Sequence, residues 1–156
     1  MSRRRVFVAG GAALFLAALS LGASAAPQGE GCPGRMTGGG SVFTADGVRV
    51  THGFELHCNK DAGSNNLEVN WEKKNFHLTS LDASHPISCT PTAGFDTIEG
   101  WGTGTLNGVP GATIHFTFTD VAEPGKGHDT ATIKINGGST LDVSGPLESG
   151  NHQAHP

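Results

Sequence analysis

Apolar and polar residues alternate along much of this chain with a period of two, and only a strand with one buried face reads that way. Ala112, Ile114, Phe116 and Phe118 alternate with Thr113, His115, Thr117 and Thr119, and Ala131, Ile133 and Ile135 alternate with Thr132, Lys134 and Asn136. Leu141 and Val143 continue the pattern. Between Val48 and Cys58 the apolar set is Val48, Val50, Phe54, Leu56 and Cys58, with Arg49, Thr51, Glu55 and His57 on the other face. Leu67 to Trp71 and Phe76 to Leu78 repeat it. The joints carry turn chemistry: Asp46-Gly47, Asn107-Gly108, Pro124-Gly125 and Asn136-Gly137. Asp-Gly and Asn-Gly accept the positive φ of a tight hairpin. With 24 glycines and 15% charged residues, the composition suits strands and turns rather than a helical bundle. About eight to ten short strands at hairpin spacing predict an all-β fold, a single antiparallel β-sandwich or barrel.

The first 25 residues read as an export signal. Arg3, Arg4 and Arg5 form a positive start, Val6 to Leu21 is apolar or small, and Ala23-Ser24-Ala25 supplies small residues for cleavage. The apolar run, about 16 residues, falls short of the roughly 20 a spanning helix needs. The arginines before Val6 also fit twin-arginine export. Residues 26 to 34 read as a flexible leader and 35 to 156 as a single domain. The expected location is therefore secreted or cell-envelope, with no transmembrane segment after cleavage.

Three of the ten Lys and Arg lie in the signal, which leaves 7 against 14 Asp and Glu, a formal charge of −7. That balance argues against a nucleic-acid partner, which requires a basic face. Three cysteines remain after the signal: Cys32, Cys58 and Cys89. One disulfide and one spare thiol follow, and the expected bridge joins Cys58, at a strand end, to Cys89, in an irregular stretch. Cys32, in the leader, is the odd one.

The candidate chemistry begins in the loop from Asp120 to Asp129. Asp120, Glu123 and Asp129 could converge on a hard cation such as calcium, although the spacing is not that of an EF-hand. A plain hairpin loop explains the same residues, with the carboxylates accepting turn hydrogen bonds. Among the eight histidines, His152 and His155 lie three apart, so a regular strand points them to opposite faces. His52 falls on an apolar face, where a hydrogen-bonded core histidine is expected. His57 and His77 lie on polar faces and could meet across strands, though no spacing matches an established zinc or copper site.

Trp101 stands among glycines in Glu99-Gly100-Trp101-Gly102-Thr103-Gly104. The preferred reading is a buried indole beneath glycines that let another sheet approach; the alternative is an exposed platform for a sugar. Gly38-Gly39-Gly40 reads as a bulge or bend, since no helix follows to make a phosphate loop. Glu55, Glu68 and Glu72 show no spacing that selects them as paired glycosidase acids. No nucleophile elbow or zinc-protease signature is present in the sequence.

Met36 to Val42, His52-Gly53-Phe54, Asn66-Leu67-Glu68, Thr119-Asp120, Glu123-Pro124-Gly125, Asp129 and the ending Gly145 to His155 occur in that order. Together they resemble the small exported bacterial domains called post-COAP domains, over residues 35 to 155. The resemblance implies an all-β domain, found alone or appended to larger surface proteins, with no catalytic residues to carry over. The chain departs from the pattern between Asn70 and Lys74 and in carrying Cys58 and Cys89. Two functional readings follow. The preferred one is an exported non-catalytic β-domain acting in binding or adhesion to an envelope protein or glycan, with strand faces and the 120 to 129 loop as contact surface and Trp101, His152 and His155 as ligand contacts. The other is a small metal-binding protein or metal-dependent hydrolase using Asp120, Glu123, Asp129 and His128.

Overall fold

The computed structural model describes residues 34–92 and 94–156; the export signal and Cys32 lie outside the described residues. Ten strands follow one another: β1 (Arg35–Phe43), β2 (Arg49–His57), β3 (Asn66–Trp71), β4 (Lys74–Leu81), β5 (Ser88–Thr90), β6 (Thr97–Leu106), β7 (Val109–Thr119), β8 (Thr130–Asn136), β9 (Leu141–Pro146) and β10 (Ser149–His155). There is no helix among the described residues, and every strand pairing is antiparallel. The all-β antiparallel expectation holds.

The spatial order is β10-β1-β2-β3-β4-β6-β7-β8-β9, with the short β5 also on β6. This sheet curls into a half-barrel. Its two ends, β9 and β10, are consecutive in sequence, separated by Leu147 and Glu148 alone. One extended segment therefore pairs with β8 along its first half and with β1 along its second, a corner of the kind that lets a strand change partners. The corner is fixed on both sides: Leu147 N–H donates to Asp129 O at 2.8 Å, and Glu148 N–H donates to Ser41 O at 2.8 Å. Leu147 itself is buried.

The alternating residues of all the long strands meet in one core. Phe54 and Phe118 stack with centroids 4.2 Å apart, and Phe116 lies 5.5 Å from Phe118. Strand β6 contributes Ile98 and Leu106 at its ends and glycines at the inward positions between them. A Cβ on Gly100 would sit 2.7 Å from Phe116 Cζ, and one on Gly104 2.6 Å from Phe76 Cζ. The glycines are close-approach positions beneath large rings, as expected, but the opposite parity points outward and carries Trp101 with it.

Gly38-Gly39-Gly40 makes no bulge or bend. Strand β1 keeps uninterrupted register with β2 and β10 through all three glycines. The inward Gly38 instead vacates space: a Cβ there would lie 2.8 Å from His152 Cα. The hairpin between β3 and β4 also lacked a sequence signal, because Glu72 (φ 43°) and Lys73 (φ 63°) take the left-handed conformation that Asn-Gly and Asp-Gly usually supply.

Cys58 and Cys89 form the expected disulfide, with Cα atoms 5.6 Å apart, joining the end of β2 to β5. The leader's last residue, Gly34, is already packed, accepting Cys58 N–H at 2.9 Å. The bridge closes a loop of 31 residues, which in the chain-entropy model stabilises by about 3–4 kcal/mol. Cys58→Ser is expected to lower the melting temperature by roughly 10 °C under oxidising conditions and Cys32→Ser to leave it unchanged; equal melts by calorimetry would contradict the assignment.

Candidate functional site

Asp129 is fully buried. Its Oδ1 accepts N–H from Val121 at 2.8 Å and Ala122 at 3.3 Å, while Oδ2 accepts His152 N–H at 2.8 Å. Asp120 does the same further along, its Oδ2 accepting Ala154 N–H at 2.8 Å. His152 and Ala154 direct these N–H groups away from β1, along the outer edge of β10, where no further strand pairs. The loop between β7 and β8 thus covers an open strand edge with two carboxylates. Glu123 points elsewhere, accepting Asn151 Nδ2 at 3.0 Å, and Asn151 Oδ1 accepts Gly125 N–H at 2.6 Å. The loop carboxylates are spread along β10 rather than gathered at one point. Among the described residues no three His, Cys, Asp or Glu side chains form a group able to hold a metal ion. The loop reads as a structural clasp.

Inside the half-barrel, His52 and His152 face each other with Nε2 atoms 2.8 Å apart. The protons can be placed from the partners. His152 Nδ1 lies 3.2 Å from Thr119 O, which only accepts, so Nδ1 carries the hydrogen and Nε2 is the acceptor. His52 Nε2–H must then donate to it. That leaves His52 Nδ1 as a bare lone pair, and it is buried with no partner. A proton added there would have nothing to receive it. His52 also stacks on Phe118 at 5.1 Å, in an apolar wall. Burial first, and then the neighbouring His152, lower the His52 pKa to about 3. Burial likewise lowers that of His152, opposed by the Thr119 carbonyl and by Asp129 and Asp120. His52 is the hydrogen-bonded core histidine its position implied. His152 is equally buried and so cannot meet a ligand from outside, whereas His155, on the other face, pairs through Nε2 with Thr37 Oγ1 at 3.1 Å.

Trp101 corrects the expectation of burial. It sits half-exposed on the outer face of β6, because Gly100 and Gly102 take the inward positions. Nor is the indole an open platform. His115, its neighbour across β7, stacks on it at 4.2 Å with planes 7° apart, and His85 covers it from the other side at 5.3 Å. Each imidazole is held by a carboxylate: His115 Nε2 to Glu99 Oε1 at 2.7 Å and His85 Nδ1 to Asp82 Oδ2 at 2.9 Å. The Asp82 carboxyl is lowered to about 2, chiefly by Ser84 and then by His85. Asp82 N–H donates to Trp101 O, which fastens the His85 turn to the strand. The result is a row of three rings, Trp101 and His115 on the sheet and His85 on the β4–β5 connection, flanked by two carboxylates and continued by Lys134 at the next register position.

The other polar-face histidines do not meet. His77 pairs with Glu68 at 3.3 Å, while His57 lies near Glu55 at 4.0 Å. Glu72 pairs with Lys74 at 2.9 Å, so the three glutamates Glu55, Glu68 and Glu72 each serve a separate neighbour. His128 stands in the clasp, where its N–H donates to Gly125 O at 2.9 Å. Two clefts, of about 400 and 360 Å³, open at the end of the sheet that carries the β3–β4 and β6–β7 turns. The sequence signals had marked neither. No protein-family model, curated protein or solved structure matches this chain.

Two outcomes follow for stability. Asp129→Ala orphans three backbone N–H groups and is expected to cost about 3–5 kcal/mol by urea denaturation, against a smaller loss for Asp129→Asn; a loss under 1 kcal/mol would contradict the clasp. His52 has its pKa lowered on folding, so its contribution is intact above about pH 6.5 and is lost as pH falls from there towards 3, at about 1.4 kcal/mol per pH unit for this one group. His52→Phe should flatten the stability slope between pH 6.5 and 4, and an unchanged slope would remove the role of the pair.

Proposed function

We infer that this chain is an exported, non-catalytic binding or adhesion domain acting at the cell envelope or outside the cell, with the outer face of β6, β7 and β8 as its contact surface. The observation that carries the reading is the His85–Trp101–His115 row: a half-exposed indole on β6, braced between two carboxylate-held imidazoles, one on β7 and one on the β4–β5 connection. Such a row presents ring edges and N–H groups in fixed positions, at little ordering cost on binding. Around it the face continues in hydroxyls, with Thr132 Oγ1 bonded to Ser144 Oγ at 2.7 Å and Ser80 Oγ to Thr103 Oγ1 at 2.7 Å. That chemistry suits a glycan or a polar protein surface.

Export is supported by the arginine-led apolar leader and by the Cys58–Cys89 disulfide, a bond that persists in oxidising compartments. Among the described residues no helix is long and apolar enough to cross a membrane. The resemblance to post-COAP domains points the same way. Asp120 and Asp129 of the 120 to 129 loop are occupied with backbone N–H groups and Glu123 with the Asn151 side-chain amide, so the reading rests on the strand face and not on a loop cation.

The test is cosedimentation of the exported chain with envelope fractions and with insoluble polysaccharides. Trp101→Ala is expected to weaken binding at least tenfold, since a central aromatic contact is worth about 2 kcal/mol, while Phe43→Ala, a distant exposed aromatic, leaves it intact. Retained binding by a folded Trp101→Ala protein would move the contact surface elsewhere.

A further inference from the structure

Carboxylates outnumber cations two to one beyond the export signal, so a cation left without a carboxylate is the exception. Arg35, Lys60, Lys74 and Lys134 have partners, in Glu55, Asp61, Glu72 and Asp142. Among the described residues Arg49, Lys73 and Lys126 have none within 4.0 Å. Two of those three, Arg49 and Lys73, line a single cleft of about 360 Å³ on the outer face of β2, β3 and β4. Glu72 and Lys74 line it as well, paired with each other at 2.9 Å, and the Lys74 ammonium lies 5.8 Å above the Trp71 ring.

The floor of this cleft is polar. Register places Thr51, Asn70 and Asn75 side by side in it on β2, β3 and β4, and the same line runs on beyond the cleft to Ser41 on β1 and Ser149 on β10. At the usual strand spacing this polar track is about 19 Å long. Asn70 accepts Asn75 Nδ2 through Oδ1 at 2.8 Å. Arg49 lies over the track, with one guanidinium nitrogen 3.2 Å from Ser41 Oγ and 3.3 Å from Ser149 Oγ. Its remaining N–H groups form a fork suited to an oxyanion. Beside the track the next outward positions are Gly39 and Gly53, and nothing lies within 4 Å of where a Gly53 Cβ would stand, so the approach is unobstructed.

We propose that this cleft is a binding site for an acidic saccharide chain, its oxyanion held by Arg49 and Lys73 and its hydroxyls by Thr51, Asn70 and Asn75. The site is separate from the Trp101 row and does not depend on it. The oxyanion could be a carboxylate or a phosphodiester; both are read by the same cations.

The exported chain would be titrated calorimetrically at low and high salt with oligogalacturonate, with a phosphodiester-linked oligosaccharide, and with a neutral cello-oligosaccharide. Binding of at least one anionic chain is expected, with affinity falling as salt rises. Arg49→Ala and Lys73→Ala are each expected to weaken it about tenfold, and Lys126→Ala, in the β7–β8 loop outside the cleft, to leave it unchanged. Both cations are on the surface, so the variants should melt like the parent. Uronate binding alone assigns a carboxylate ligand, and binding of the phosphodiester-linked chain alone a phosphodiester one. Equal binding of the neutral chain, no binding of either anionic chain, or a loss caused by Lys126→Ala and not by Arg49→Ala and Lys73→Ala would overturn the site.

Discussion

The Asp129 carboxylate holds together parts of the chain that no strand pairing joins. An open curled sheet has two edges, and each edge exposes a row of backbone groups that must find partners or water. Here the outer edge of β10 is closed by side chains from the β7–β8 loop, through Asp129 and Asp120. Because Asp129 also binds N–H groups of its own loop, one buried anion fixes the loop's shape and its docking together. The main-chain carbonyl of the same residue holds Leu147 at the β9–β10 corner. Charge is affordable in this interior only because three N–H donors surround the carboxylate.

The second organising constraint is volume. Two imidazoles and three phenyl rings share one part of the core, and the strands facing them yield by carrying glycine. Gly38 leaves room for His152, while Gly100 and Gly104 leave room for Phe116 and Phe76. The histidine pair is part of this packing. It fits because both rings are neutral and one hydrogen bond joins them.

Much of the fold was legible. Strands β2, β7 and β8 declare themselves by alternation over seven or more residues, and β6–β7 by its Asn107-Gly108 turn. Strands β1 and β10 were silent, since Gly38 and Gly40 in the middle of β1 and Gly150 and His152 in β10 occupy inward positions that hydrophobic residues would mark. The disulfide was legible from two cysteines flanking an irregular stretch. Trp101 was misread because the glycines around it carry no hydrophobic parity; once Phe116 and Phe76 are seen above Gly100 and Gly104, the outward position of the indole is forced. The cleft at Arg49 and Lys73 gave no sequence signal. Its residues come from three strands and a turn, and each alone is an ordinary surface residue.

By itself the sequence determined the all-β class, the core face of the long strands, the acidic balance and the covalent bridge, because these depend on local periodicity, composition and the small number of cysteines. Tertiary structure alone decided what the acidic loop does. Three carboxylates within ten residues are equally consistent with a cation cage and with a strand-edge clasp, and the difference lies in where distant backbone N–H groups of β10 fall. It also decided which ring faces outward on β6 and which cations remain unpaired. Both are set by neighbours across strands, tens of residues away in the chain, and pairing across strands is a property of register that no single segment encodes.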